Sequence, residues 1–221
     1  MAIKIAEQPF QFVTASYLTR INNQKAHNLV EMNACLDQAT DTSIFYHTYQ
    51  CLGRHHFLTE GFSNDVAQWV LASLNRPVLA EWLAGLDIRD YVSLAELRAD
   101  LRRLVSAYCE EHPREAEISG FEPFFFCEAI EVTVPLGTEA VTLAQLRREL
   151  QRLSHWSFYH HFISSRLRLQ LKTNDFSLWL ATALGMEDLA RRTNRIDIYA
   201  NTLDTARDEM VALIDREIGR W

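Results

Sequence analysis

The sequence is poor in the residues that break or staple a chain. Only 7 glycines and 5 prolines occur in 221 residues, too few for a turn-rich β-sandwich or for long disordered stretches. The four cysteines, Cys35, Cys51, Cys109 and Cys127, are spaced 16, 58 and 18 positions apart. No Cys-x-x-Cys pair can therefore hold zinc or exchange disulfides, and the thiols read as reduced residues of a cytoplasmic protein. No run of about 18 apolar residues occurs, and the opening "MAIKIAEQPFQF" lacks the apolar core of a signal peptide, so neither membrane spanning nor secretion is expected. Positive charge is also in short supply: 22 Lys and Arg stand against 29 Asp and Glu, a formal charge of −7. Phosphate contacts supply most nucleic-acid affinity, so nucleic acid is not an expected partner. There is no Gly-x-Ser-x-Gly elbow, Gly-x-Gly-x-x-Gly turn or phosphate loop, which excludes the chemistry those motifs carry.

What is present is apolar, aromatic and repeated. Hydrophobic residues make up 48% of the chain and aromatics 11%, as expected of a mainly helical protein. At an offset of 110, Asn64-Asp65 recurs as Asn174-Asp175, Trp69 as Trp179, Leu74 as Leu184, Leu79-Ala80 as Leu189-Ala190 and Asp87-Ile88 as Asp197-Ile198. Those are eight identities in 27 positions, well beyond chance, and a repeat decides the fold class before any element is assigned. Phe45-Tyr46-His47 recurs as Phe158-Tyr159-His160 at 113, Pro9-Phe10-x-Phe12 as Pro123-Phe124-x-Phe126 at 114, and Leu94 and Arg98 as Leu203 and Arg207 at 109. Segmental offsets of this kind mark duplicated helices joined by loops of unequal length.

Two tandem, pseudo-symmetric helical repeats of about four helices each are therefore expected, over residues 9–110 and 123–221. The polar stretch "EEHPREAEISG" forms the joint, and the repeats are expected to dock as one body. In each repeat an amphipathic helix comes first, with Ala26, Leu29, Asn33 and Leu36 or Ala140, Leu143, Leu146, Leu150 and Leu153 at spacings of three and four. The Phe-Tyr-His segment opens a second helix, Ser63-Asn64 or Thr173-Asn174 caps a third, and Ser93 or Thr202 begins a fourth. "FFFCEAIEVTVPLG" and "FQFVTASYLTRI" alternate as strands do and suggest a two-stranded β-ribbon.

The polar residues kept by both copies are His47/His160, Asn64/Asn174, Asp65/Asp175, Asp87/Asp197 and Arg98/Arg207. The plainer account makes them architecture. Ser/Thr-Asn-Asp before an apolar run starts a helix, with the Asp favoured by the helix dipole. Each His sits in the core, hydrogen-bonded by its Asp, and Arg98 and Arg207 pair with Asp87 and Asp197 or cap a helix end across the repeat. The sharper account brings His47, Asp65, His160 and Asp175 together between the repeats as ligands for Zn, Mn or Fe, although neither copy contains Glu-x-x-His or His-x-x-x-His. A third account sets His47 with Arg54 and His160 with Arg168 on single helix faces, where Asn64 and Asn174 would help receive a small anionic ligand.

The paired motifs resemble a family of prokaryotic proteins of unknown function in which Phe-Tyr-His is followed by Asn-Asp-Phe-x-x-Trp in each half. Here the second half reads Asn174-Asp175-Phe176-Ser177-Leu178-Trp179, whereas the first departs at Val66. The resemblance supports the architecture and implies no activity. The expectation is a non-enzymatic cytoplasmic binding or adaptor protein without a cofactor, its partner another protein or a small anion; the alternative is a metal- or anion-binding enzyme or sensor with its site between the two repeats.

Overall fold

The computed structural model describes residues 4–51, 62, 64–197 and 202–219. Expectations resting on Arg54, Ser63 and Ile198 fall outside these residues.

The chain is mainly helical and carries a two-stranded antiparallel sheet. Strand β1 (Phe10–Ala26) is followed by α1 (Leu29–Gln38) and α2 (Asp41–Phe45), which runs into a π-helical turn at Tyr46–Gln50. Then come α3 (Asp65–Ala72), α4 (Pro77–Ala84), a 3-10 turn at Ile88–Asp90, α5 (Leu94–Glu111) and the short α6 (Pro113–Ala116). Strand β2 (Phe124–Ala140) opens the second series: α7 (Leu143–Leu150) and α8 (His155–Tyr159), a π-turn at His160–Ser164 and α9 (Ser165–Arg168). Helices α10 (Asp175–Thr182), α11 (Glu187–Asn194) and α12 (Leu203–Ile218) complete it.

Local sequence explains most of these boundaries. Asn64 Oδ1 accepts from Ala67 N at 2.8 Å and Asn174 Oδ1 from Ser177 N at 3.0 Å, so both asparagines cap as expected. Thr142 and Gln145 form a capping box at α7. The expected third helix, however, is two helices in each series. The chain turns through positive φ at Asn75 (53°) and Gly185 (60°), a conformation open chiefly to Gly and Asn, and α4 and α11 start afresh beyond it.

The chain divides into two compact units that do not coincide with the expected boundaries. A continuous unit comprises Leu18–Ile130, and a discontinuous one joins Met1–Tyr17 to Glu131–Trp221. The first half of β1 thus belongs with the second helical series, and the first half of β2 with the first series. Phe10 stacks on Phe176 at 5.1 Å and meets Trp179 edge-on at 5.9 Å. Phe124 meets Trp69 edge-on at 5.7 Å. Phe12 and Phe126 are each about 1% exposed, so these strand segments are core of the units they enter.

Candidate functional site

The continuous unit builds its site from α2, α3 and β2. Asp65 opens α3, where the helix dipole favours a carboxylate. Its Oδ2 lies 2.8 Å from His47 Nδ1. The π-turn carries His47 inward, and its Nε2 accepts the backbone N–H of Cys127 at 2.9 Å. A nitrogen that accepts holds the lone pair, so in neutral His47 the proton is on Nδ1 and is given to Asp65. The imidazole rests against Phe124 at 4.7 Å and Phe126 at 5.9 Å.

The discontinuous unit makes the same arrangement with a different histidine from the one expected. His161 Nδ1 lies 2.9 Å from Asp175 Oδ2, and His161 Nε2 accepts from Val13 N at 2.9 Å. Its ring contacts Phe10 at 4.9 Å and Phe12 at 6.3 Å. From the strands to the histidines the correspondence runs at an offset of 114: Val13 with Cys127, Thr40 with Ser154, His47 with His161. The matched letters Phe-Tyr-His sit at 113, one residue out of register, so His160 falls opposite Tyr46. One residue on a helix is about 100° of rotation, enough to give neighbouring histidines unlike surroundings.

His160 instead approaches Glu131. Its Nδ1 is 2.5 Å from Glu131 Oε1 but out of line for a good hydrogen bond, and Ser164 Oγ donates to Glu131 Oε2 at 2.6 Å. Burial alone would raise the Glu131 carboxyl. The close approach of the His160 ring, the Ser164 hydrogen bond and the nearby charges of His160 and Arg168 hold it below the usual range. Tyr17 is pushed well above the ordinary phenol range, mainly by burial. At the corresponding place in the continuous unit, Tyr46 OH meets Thr19 Oγ1 at 3.0 Å.

Burial depresses His161, and the charges of His160 and Arg168 add to that; Asp175 opposes it only in part. For Asp175 burial works upward, but hydrogen bonds from His161 and from Arg168, the latter at 2.6 Å, bring it below the usual carboxylate range. Arg168 is therefore engaged by a carboxylate. Asn64 Nδ2 donates to Leu83 O at 3.0 Å and Asn174 Nδ2 to Asn194 Oδ1 at 3.3 Å, so both amides are spent within their own units. The arginine expectations shift too. Arg98 pairs with Asp41, Asp87 is held by Arg89, and Arg207 meets Asp204 at 3.2 Å.

Ligand-type atoms of His160, His161 and Asp175 lie within 4.8 Å of one another, so the metal reading can be tested on the donor set. A metal needs a nitrogen lone pair. His47 and His161 each use that lone pair to accept a strand N–H, and their remaining nitrogen carries a proton toward Asp. Neither imidazole fits as a ligand unless it releases its strand.

A model of a family described as a family of unknown function, DUF5752, matches residues 7–215. The chain belongs to this family. No curated protein matches it. The structure of OrfY from Thermoproteus tenax is similar to this DUF5752 chain, with a TM-score of 0.83 and 26% sequence identity over 96% of this chain and 97% of that one.

Among the residues that hold the two sites of this DUF5752 protein, His161, Glu131 and the backbone N–H groups of Val13 and Cys127 escaped the sequence reading. Continuing the offset of 114 from the Phe-x-Phe motifs through the histidines would have found His161. A backbone N–H leaves no mark in the sequence.

Proposed function

We propose that the chain is a tandem duplication whose two copies exchange strand segments, and that it works as a non-enzymatic binding or adaptor protein. The observation carrying this reading is the double use of both buried imidazoles. With Nδ1 given to Asp and Nε2 accepting from a strand, His47 and His161 are pins holding β2 and β1 onto the helices, with no atom left over for proton transfer or ligation. The engaged Arg168 and the spent amides of Asn64 and Asn174 weigh against an anion pocket. Cys35 and Cys109 are free thiols, which supports a reducing, cytoplasmic setting.

Elemental analysis and thermal denaturation test the reading together. His47→Ala and His161→Ala should each lower the melting temperature, and protein purified without chelator should hold no stoichiometric transition metal. A stoichiometric metal that is lost in His47→Ala or His160→Ala variants of unchanged melting temperature would replace the binding reading with a metal site.

A further inference from the structure

The continuous unit exposes four apolar side chains on one stretch of surface: Val78 and Trp82 on α4, and Ile118 and Phe121 on the turn after α6. Phe121 is 90% exposed. A flexible loop commonly carries such a residue, but this turn is fastened on both sides of Phe121. Gly120 N donates to His27 O at 2.7 Å, Phe121 N to Ser73 O at 3.0 Å and Glu122 N to Ser73 Oγ at 2.8 Å. Glu122 O accepts from Trp69 Nε1 at 2.8 Å and from Ser73 Oγ at 2.6 Å. A second set of contacts brings the turn and α4 together. Ile118 N donates to Glu115 O at 3.2 Å, Glu115 meets Arg76 at the head of α4 at 3.0 Å and accepts from Tyr108 OH at 3.0 Å, and the Tyr108 ring lies 6.4 Å from Trp82.

The fold does not require these side chains to be apolar, because the discontinuous unit builds the same features with charged ones. Ala6 N donates to Val141 O as Gly120 N does to His27 O, and Trp179 Nε1 donates to Gln8 O as Trp69 Nε1 does to Glu122 O. At the positions of Ile118 and Phe121 stand Lys4 and Glu7, and on α11 the positions of Val78 and Trp82 hold Asp188 and Arg192. Four matched places are apolar in one unit and charged in the other. A preformed aromatic knob costs little conformational entropy on association, which is the usual character of an interface hot spot.

Charge selects the occupant. Glu81 lies between Val78 and Trp82, and Glu110, Glu111, Glu117 and Glu122 are exposed along the stretch that carries Ile118 and Phe121, against the single exposed cation Arg114. A second copy would bring this acidic rim against itself, and an anionic membrane would repel it. We infer that the patch of Val78, Trp82, Ile118 and Phe121 docks a basic amphipathic segment of another protein, its apolar face on the four side chains and its Lys and Arg on the acidic rim. This inference rests on the binding reading above and names the partner's chemistry.

The test uses the full chain and a charge-neutral exchange: Val78→Asp, Trp82→Arg, Ile118→Lys and Phe121→Glu together, which installs the residues of the other unit. Two negative and two positive charges are added, so the formal charge stays at −7. The probe is a fluorescent amphipathic helical peptide of Leu and Lys, compared by anisotropy with its Leu and Glu counterpart. The wild type should bind the Lys peptide at least about tenfold more tightly than the variant, more weakly as salt rises, and leave the Glu peptide unbound. Equal affinity of wild type and variant for the Lys peptide, or no binding by either, overturns the proposal. So does preferential binding of the Glu peptide, a wild-type dimer that the variant dissolves in light scattering, or tighter wild-type binding to phosphatidylglycerol vesicles than to the Lys peptide. Should the fourfold variant lose its circular dichroism signature, Phe121→Glu alone, at an exposed side chain, gives the same comparison. Failure here would leave the two pins standing, since they fail only on metal content and melting behaviour.

Discussion

Protonating His161 would turn Nε2 from an acceptor into a donor, facing Val13 N–H across 2.9 Å. That bond cannot survive the change, and burial, with the charges of His160 and Arg168, already favours the neutral ring. The sign follows directly. A group held below its ordinary pKa contributes stability that is complete above that value and is lost as pH falls through it. For His161 the loss begins near the ordinary imidazole value of about 6.5. Asp175 and Glu131, also held low, add their losses below the usual carboxylate range of about 4. Urea midpoints should therefore fall as pH drops from 7.5 to 5.5, and His161→Phe should flatten that first decline. The same variant should cost about 1–3 kcal/mol at pH 7.5, since Val13 N–H and Asp175 lose a partner. The sequence made the histidine-aspartate pairing readable but not which histidine makes it. Letter identity sits at one offset and side-chain direction at the next, and only the direction is physical.

At the scale of elements, the ribbon, the caps and the order of the long helices were legible because their signals are local: alternation, apolar spacing of three and four, and Ser, Thr or Asn at most starts. The break between α3 and α4 was not, since the cue is one positive-φ residue that Asn supplies in one copy and Gly in the other. The partners of Arg98 and Asp87 were not legible either, because ion pairs at a surface are set by side-chain reach across helices. The turn at Gly120 gives a quantitative expectation. A Cβ there would sit 2.6 Å from Ser73 Oγ and 3.2 Å from Ser73 O, closer than van der Waals contact permits. Gly120→Ala should cost about 1–3 kcal/mol by overpacking. The corresponding residues of the other unit are Ala6 and, opposite it, Ala183 in place of Ser73. Adding Ser73→Ala should therefore recover part of the loss, a coupling that a double-mutant cycle in urea would measure.

For the whole molecule, the division into Leu18–Ile130 and the two-part remainder means that the first 17 residues are structural members of the C-terminal half. No periodicity could disclose this, because Phe10-x-Phe12 and Phe124-x-Phe126 are equally good strands for either set of helices. Removing residues 1–17 should strip Phe10 and Phe12 from the core, at about 1.5–3 kcal/mol each, together with the Val13 N–H. Against a typical domain stability of about 5–15 kcal/mol that is a large share. Hydrogen exchange on the truncated chain should show α10 and α11 losing protection while α3 and α4 keep theirs; equal loss in both would contradict the assignment. The same arrangement sets an order of events at the ribosome. The continuous unit can close once residue 130 has emerged, but the segment carrying Phe10 and Phe12 must wait for Trp179 and its neighbours. At elongation rates of about 5–20 residues per second, that apolar strand spends on the order of ten seconds without its core. The chain's earliest residues are among its last to fold, and a holding chaperone would find them first.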